Sequence, residues 1–98
     1  MSKNNQPIAS YKDLLVWQRS MDLVETVYRL TKNFPPAEQW GLISQMRRAA
    51  ISVPSNIAEG YGRQATGEYR HHVSIGRDSL LELETQVLLA TRLKYLQA

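Results

Sequence analysis

Apolar residues along this chain recur at helical spacing in three blocks, and no stretch alternates at the period of a strand. In the first block Leu14, Trp17, Met21, Val24 and Tyr28 step by 3, 4, 3 and 4. Beside them Leu23, Val27, Leu30 and Phe34 step by 4, 3 and 4. Two adjoining seams make the broad apolar face of a bundle helix. In the second block Leu42, Met46, Ala49, Ala50, Val53 and Ile57 share one arc at about 100° per residue. A second arc, a quarter-turn away, holds Gln45, Arg48, Ser52, Asn56, Glu59 and Arg63. In the third block Tyr69, Val73, Gly76, Leu80, Leu83, Val87 and Ala90 form a coiled-coil-like seam, widened by Leu81, Leu88 and Tyr95. The pattern predicts helices over about 11–33, 38–61 and 66–97 within one helical domain spanning 10–98.

The punctuation between blocks fits that division. Residues 1–9 are polar, include Pro7, and read as a flexible tail. Ser10 is placed to cap the first helix, with Asp13 in a first turn that favours a carboxylate. Asn33-Phe34-Pro35-Pro36 stops that helix, because proline donates no backbone hydrogen bond. The second helix is expected to start near Pro36 to Gln39 and to bend at Pro54, which frees the carbonyl of Ala50. Gly60 and Gly62 are expected to end it by adopting left-handed or open conformations, and Thr66 to cap the third. The chain closes on Leu96-Gln97-Ala98, where no cap or turn is expected.

Composition narrows the chemistry. The 98 residues carry no cysteine, which excludes disulfides and thiolate zinc sites and fits a reducing compartment. The longest uncharged run, Ala49 to Ala58, contains Ser, Pro and Asn, and the N-terminus has no signal-peptide core; a cytoplasmic protein is expected. Net charge is +3, within the ordinary range for a small domain. Its placement is uneven: residues 44–77 hold five Arg against two Glu, and both histidines. Arginine forks suit phosphates and base edges better than lysine does.

No constellation in the sequence supports catalysis. There are serines but no readable base, no Gly-x-Ser-x-Gly and no phosphate-cradling glycine loop. Glu68-Tyr69-Arg70-His71 has the Glu-x-x-His spacing of di-iron bundles, but that chemistry needs two such motifs and two more carboxylates. No catalytic residue, metal site, cofactor or small-molecule substrate is expected. For nucleic acid the candidates are Arg47, Arg63, Arg70, His72 and Arg77, with Tyr61 able to stack on bases and Arg48 and Tyr69 lying among them. Ordinary surface charge accounts for the same residues. The polar arc reads as an inter-helix network in which Gln45, Arg48, Ser52, Asn56 and Glu59 pair with Glu82 or Glu84 and fix register, or in part as a subunit interface. Trp17 and Trp40 read as core or interface anchors.

The block GLISQMRRAAISVPSNIAEGYGR, residues 41–63, resembles the signature of the small bacterial four-helix-bundle proteins encoded within intervening sequences of large-subunit ribosomal RNA genes. Tyr11-Lys12-Asp13-Leu14, Val16-Trp17-Gln18, Phe34-Pro35 and Ser79-Leu80-Leu81-Glu82-Leu83-Glu84-Thr85 extend the likeness over nearly the whole chain. A related branch comprises accessory proteins of diversity-generating retroelements. The resemblance implies an all-α, up-and-down antiparallel bundle. Three long helices lie in this chain, and the family's last helix is absent or truncated, leaving a groove. It further implies ring assembly, a pentamer in the retroelement branch, and a nucleic-acid context. The function expected is a non-enzymatic homo-oligomeric scaffold with a basic surface for RNA or DNA, accessory to a partner enzyme of a mobile element. The alternative is a structural or protein-binding module with no nucleic-acid role.

Overall fold

The computed structural model describes residues 8–63 and 66–97. Its elements are α1 (Leu15–Thr31), α2 (Leu42–Gly62) and α3 (Thr66–Arg92), with single 3-10 turns at Tyr11–Asp13 and Pro36–Glu38. No strand occurs among the described residues, so the chain is all-α. Most of the tail expected over residues 1–9, and the side chain of Thr66, lie outside the described residues.

Each boundary has a local cause. Ser10 and Asp13 form a capping box: Lys12 N donates to Ser10 Oγ at 3.2 Å and Ser10 N to Asp13 Oδ2 at 3.1 Å. The capped turn is 3-10, however, and Leu14 is extended (ψ 126°), so α1 begins at Leu15 rather than 11. Pro36 likewise opens a 3-10 turn instead of α2. Glu38 then reaches forward, and its Oε1 accepts from Leu42 N at 3.1 Å. That carboxylate satisfies a donor that Gly41, lacking a side chain, leaves free at the start of α2.

Two expectations about helix ends need correcting. Gly60 and Gly62 both lie inside α2, and neither has a positive φ. A Cβ on Gly60 would sit 3.2 Å from His72 Cβ and 3.6 Å from Tyr69 O, so its role is to let α2 and α3 approach closely. The other correction is at the end of α3, which stops at Arg92 rather than 97. Lys94 takes the left-handed conformation (φ 69°), Tyr95 N donates to Ala90 O at 2.9 Å and Lys94 N to Thr91 O at 3.0 Å. Those paired bonds are a Schellman cap in a sequence without a glycine at that place.

The central layer is α2, with α1 and α3 packed on it and scarcely touching each other. The core comprises Val27 and Phe34; Leu42, Ile43, Met46, Ala49, Ala50 and Val53; and Leu83 and Ala90. The apolar arc of α2 is thus buried nearly throughout, and its alanines admit both flanking helices. The broad faces of α1 and α3 are only half used: Met21, Tyr28, Leu30, Tyr69, Val73, Leu80, Leu81 and Leu88 remain exposed. Extents of 43 × 29 × 20 Å describe a slab two helices thick, open between α1 and α3. Beyond α3, Tyr95 returns to the slab, its ring 5.3 Å from that of Phe34 and its hydroxyl donating to Glu38 Oε2 at 2.9 Å.

Candidate nucleic-acid interface

The polar arc of α2 divides in the structure. Its middle faces α3 in a directional hydrogen-bond chain. His72 Nδ1 lies 3.0 Å from Asn56 Oδ1, and Asn56 Nδ2 donates to Ser52 O at 2.8 Å and Ser52 Oγ at 3.0 Å. Ser79 Oγ donates to the same Ser52 Oγ at 2.8 Å. Because Asn56 Oδ1 only accepts, His72 Nδ1–H is the donor in this contact. The partners on α3 are therefore Ser79 and His72, where Glu82 or Glu84 was expected. Glu82 instead accepts from Gln86 Nε2 at 3.3 Å along its own helix, and Glu84 is exposed. A shared cause explains both: Ser52 and Asn56 are short, and the closeness allowed at Gly60 brings α3 within reach of short groups, not of long carboxylates.

The ends of the arc go elsewhere. Gln45 and Arg48 are exposed. Glu59 meets Arg63 at 3.4 Å, and Arg63 also lies 3.9 Å from Glu68. These contacts half-neutralise the basic turn between α2 and α3.

The remaining basic candidates fall on separate surfaces. Arg70 is exposed on the first turns of α3. Tyr61, Tyr69, His72 and Arg77 come together, lining a cavity of about 590 Å³ with Leu14, Val16, Val53, Ile57, Val73, Gly76 and Leu80. That lining is mainly apolar, which suits a packed side chain better than a phosphate. Arg47 lies on the opposite flank and is tied to α1: its Nε donates to Thr31 Oγ1 at 2.9 Å, its Nη2 to Tyr28 O at 3.3 Å. Its guanidinium stacks 4.3 Å from the Tyr28 ring centroid.

Beside this stack is the feature that the sequence left unread. Trp40 is 86% exposed, on the turn before α2, and is not a core residue. A shallow basin of about 400 Å³ joins Trp40 to Tyr28, Gln39, Ile43, Ser44, Arg47, Arg48 and Ile51. Two arginines and two aromatic rings line it, and no acidic side chain does. Apolar periodicity put Trp40 outside the helical seams but gave no direction for its ring, since a turn residue has no periodic face. Trp17, the other proposed anchor, is half-buried and packs edge-on against Tyr11 at 5.3 Å.

Among the described residues no group of three His, Cys, Asp or Glu side chains converges as a metal site would require. Nor, among the described residues, is any helix long and apolar enough to cross a membrane.

The sequence profile of the 23S rRNA-intervening sequence protein family matches residues 12–98. The chain belongs to this family. Within a 23S rRNA-intervening sequence protein, then, the Ser52–Asn56–His72–Ser79 chain joins two of the helices, and the Trp40 basin is its exposed aromatic and basic surface. No curated protein matches the sequence.

Proposed function

We propose that this 23S rRNA-intervening sequence protein is a cytoplasmic, non-enzymatic, homo-oligomeric scaffold that holds single-stranded RNA or DNA on the Trp40 basin, accessory to a partner enzyme. The observation that carries the reading is the exposed indole of Trp40 beside Arg48 and the Arg47–Tyr28 stack, in a basin without acidic lining. Indole and phenol rings stack on any base, and unpaired guanidinium groups neutralise phosphates. Arg48 has no ion pair among the described residues. Arg47 contributes a fixed positive edge, because Thr31 and the Tyr28 carbonyl orient it. The family description, which refers to a 23S rRNA intervening sequence, is consistent with an RNA context.

Tryptophan fluorescence tests this directly. With Trp17→Phe in the background, Trp40 is the sole indole. Titration with mixed-sequence single-stranded RNA and DNA should quench it. Affinity should fall steeply with salt, and Arg48→Ala should lower the log–log salt slope by about one. Absence of quenching, or binding unchanged by Trp40→Ala with Arg48→Ala, removes nucleic acid from this surface. The second reading is a protein-binding module, favoured by the same composition: Trp, Tyr and Arg also dominate protein-interface hot spots.

A further inference from the structure

Trp40, Ser44, Arg47 and Ile51 step by 4, 3 and 4, so the basin floor is one stripe along α2 and the turn before it. Its chemistry changes along its length. At one end stands the open indole of Trp40. In the middle are the two cations. Arg47 is preset: its Nε donates to Thr31 Oγ1, which is wholly buried and itself donates to Val27 O at 2.7 Å. Arg47 Nη1 has no partner among the described residues, and exposed Arg48 has no ion pair among them. At the far end Ile51 is apolar and 43% exposed.

Both ends limit what can lie on the stripe. Ile51 also lines the next hollow in the α1–α2 groove, of about 360 Å³, with Trp17, Met21, Val24 and Pro54. Among the described residues no charged side chain lines that hollow. A phosphate carried past Ile51 would lose water and gain no partner, which is unfavourable. Beyond Trp40 the chain runs back through Pro36–Glu38, whose one charged side chain is the Glu38 carboxylate, and a carboxylate repels phosphate. The stacking surface is limited too. The Arg47 guanidinium already covers one face of Tyr28, which leaves Trp40 as the one fully open ring of the basin. A volume of about 400 Å³ is at the small end of ligand sites, which span about 300–1,000 Å³.

Resting on the nucleic-acid reading above, we infer that the basin takes a single unpaired nucleotide: one base stacked on Trp40, its flanking phosphates on Arg47 and Arg48. The recognised feature is an unpaired base, not a length of strand. A paired base inside a duplex has both faces covered by its neighbours and offers nothing to the indole. The same chemistry is presented by a strand end and by a bulge. Two neutralised phosphates set a log–log salt slope of about 1.4, however long the strand.

Trp40 fluorescence in the Trp17→Phe protein tests the inference. A 5′-phosphorylated dinucleotide should quench it with an affinity within about threefold of a tetranucleotide's, because each further stacked base would add a factor of roughly five or more. A duplex closed at both ends by polyethylene glycol linkers should not quench. The same duplex with one bulged base, or opened to a one-nucleotide overhang, should quench; response to the overhang alone assigns the site to strand ends, and to the bulge alone assigns it to loops. Ile51→Lys, at an exposed position, should extend the footprint, favouring the tetranucleotide over the dinucleotide and raising its salt slope by about 0.7. Quenching by the tetranucleotide at least about tenfold tighter than by the dinucleotide overturns the single-nucleotide site and leaves nucleic-acid binding standing. So does quenching by the closed duplex, or by neither the bulge nor the overhang. An unchanged preference in Ile51→Lys overturns the boundary at Ile51. Quenching by none of these probes removes the nucleic-acid reading itself, and the inference with it.

Discussion

Lys94 is the one described non-glycine residue with a positive φ, 69°. The conformation is imposed by the cap, since Tyr95 N and Lys94 N can reach Ala90 O and Thr91 O only if the chain turns left-handed there. A side chain there costs about 1 kcal/mol against Cβ crowding. Lys94→Gly is therefore expected to stabilise the fold by about 0.5–1 kcal/mol, part of the gain being offset by glycine's unfolded-state entropy. A urea midpoint that rises with unchanged slope is the expected result. A fall would mean that the lysine stem packs on the cap. Gln86 shows the opposite economy of contacts. It is 8% exposed, and its Oε1 is buried with no hydrogen-bond partner, although its Nε2 reaches Glu82. A buried orphan carbonyl costs of the order of 1–3 kcal/mol, and it stands next to the α2–α3 core.

At the scale of the element, α2 decides the fold. Its arc of Leu42, Met46, Ala49, Ala50 and Val53 is buried, and Pro54 lies buried inside a helix that continues past it. The proline removes one ladder bond without removing the apolar arc, so packing on two sides holds the helix together. The Ser52–Asn56–His72–Ser79 chain fixes the register of α3 on that helix. Asn56→Leu keeps the volume but deprives Ser52 Oγ of one donor and the His72 N–H of its acceptor. Destabilisation of about 1–2 kcal/mol is expected, checked by chemical denaturation. No change would show that water replaces the amide. The helices themselves were legible in the sequence because apolar periodicity is local: all three occur, within a few residues of the predicted limits at most ends. Apart from the starts of α1 and α2, which open as 3-10 turns, the ends misread were those set by contacts rather than by local propensity. Gly60 reads as a stop on its own and as a spacer once His72 lies against it. Lys94 gives no local signal for a turn that Tyr95 and its packing on Phe34 enforce.

For the whole molecule, the slab is tied shut at one end by Tyr95 and Glu38, which are distant in sequence. The hydrogen bond to Glu38 raises the Tyr95 phenol above its ordinary pKa, with burial and the repulsion of the Glu38 carboxylate adding to it. Because the folded value exceeds the unfolded one, about 10, the contribution is fully present below the unfolded value and is lost as pH rises through the folded one. Wild type should therefore melt above Tyr95→Phe near neutral pH, and the gap should close in strongly alkaline buffer. A gap independent of pH would assign the effect to packing alone. At the opposite flank nothing comparable among the described residues closes α1 against α3, and the seam of Val73, Leu80, Leu81 and Leu88 stays exposed.

By itself the sequence determined the helices, the buried arc of α2, the cap at Ser10 and the family, because each is written in short-range spacing or in a contiguous block. It placed arginines and tyrosines in the middle of the chain but not on a common surface. Only the tertiary structure separated Arg47 from Arg70, gave Arg63 to Glu59 and Glu68, chose Ser79 and His72 over Glu82 and Glu84, and turned Trp40 outward. The reason is geometric. Spacing fixes the angle of a side chain about its own helix axis. Which group it meets depends on how close two helices come, and that distance is set by the residues between them.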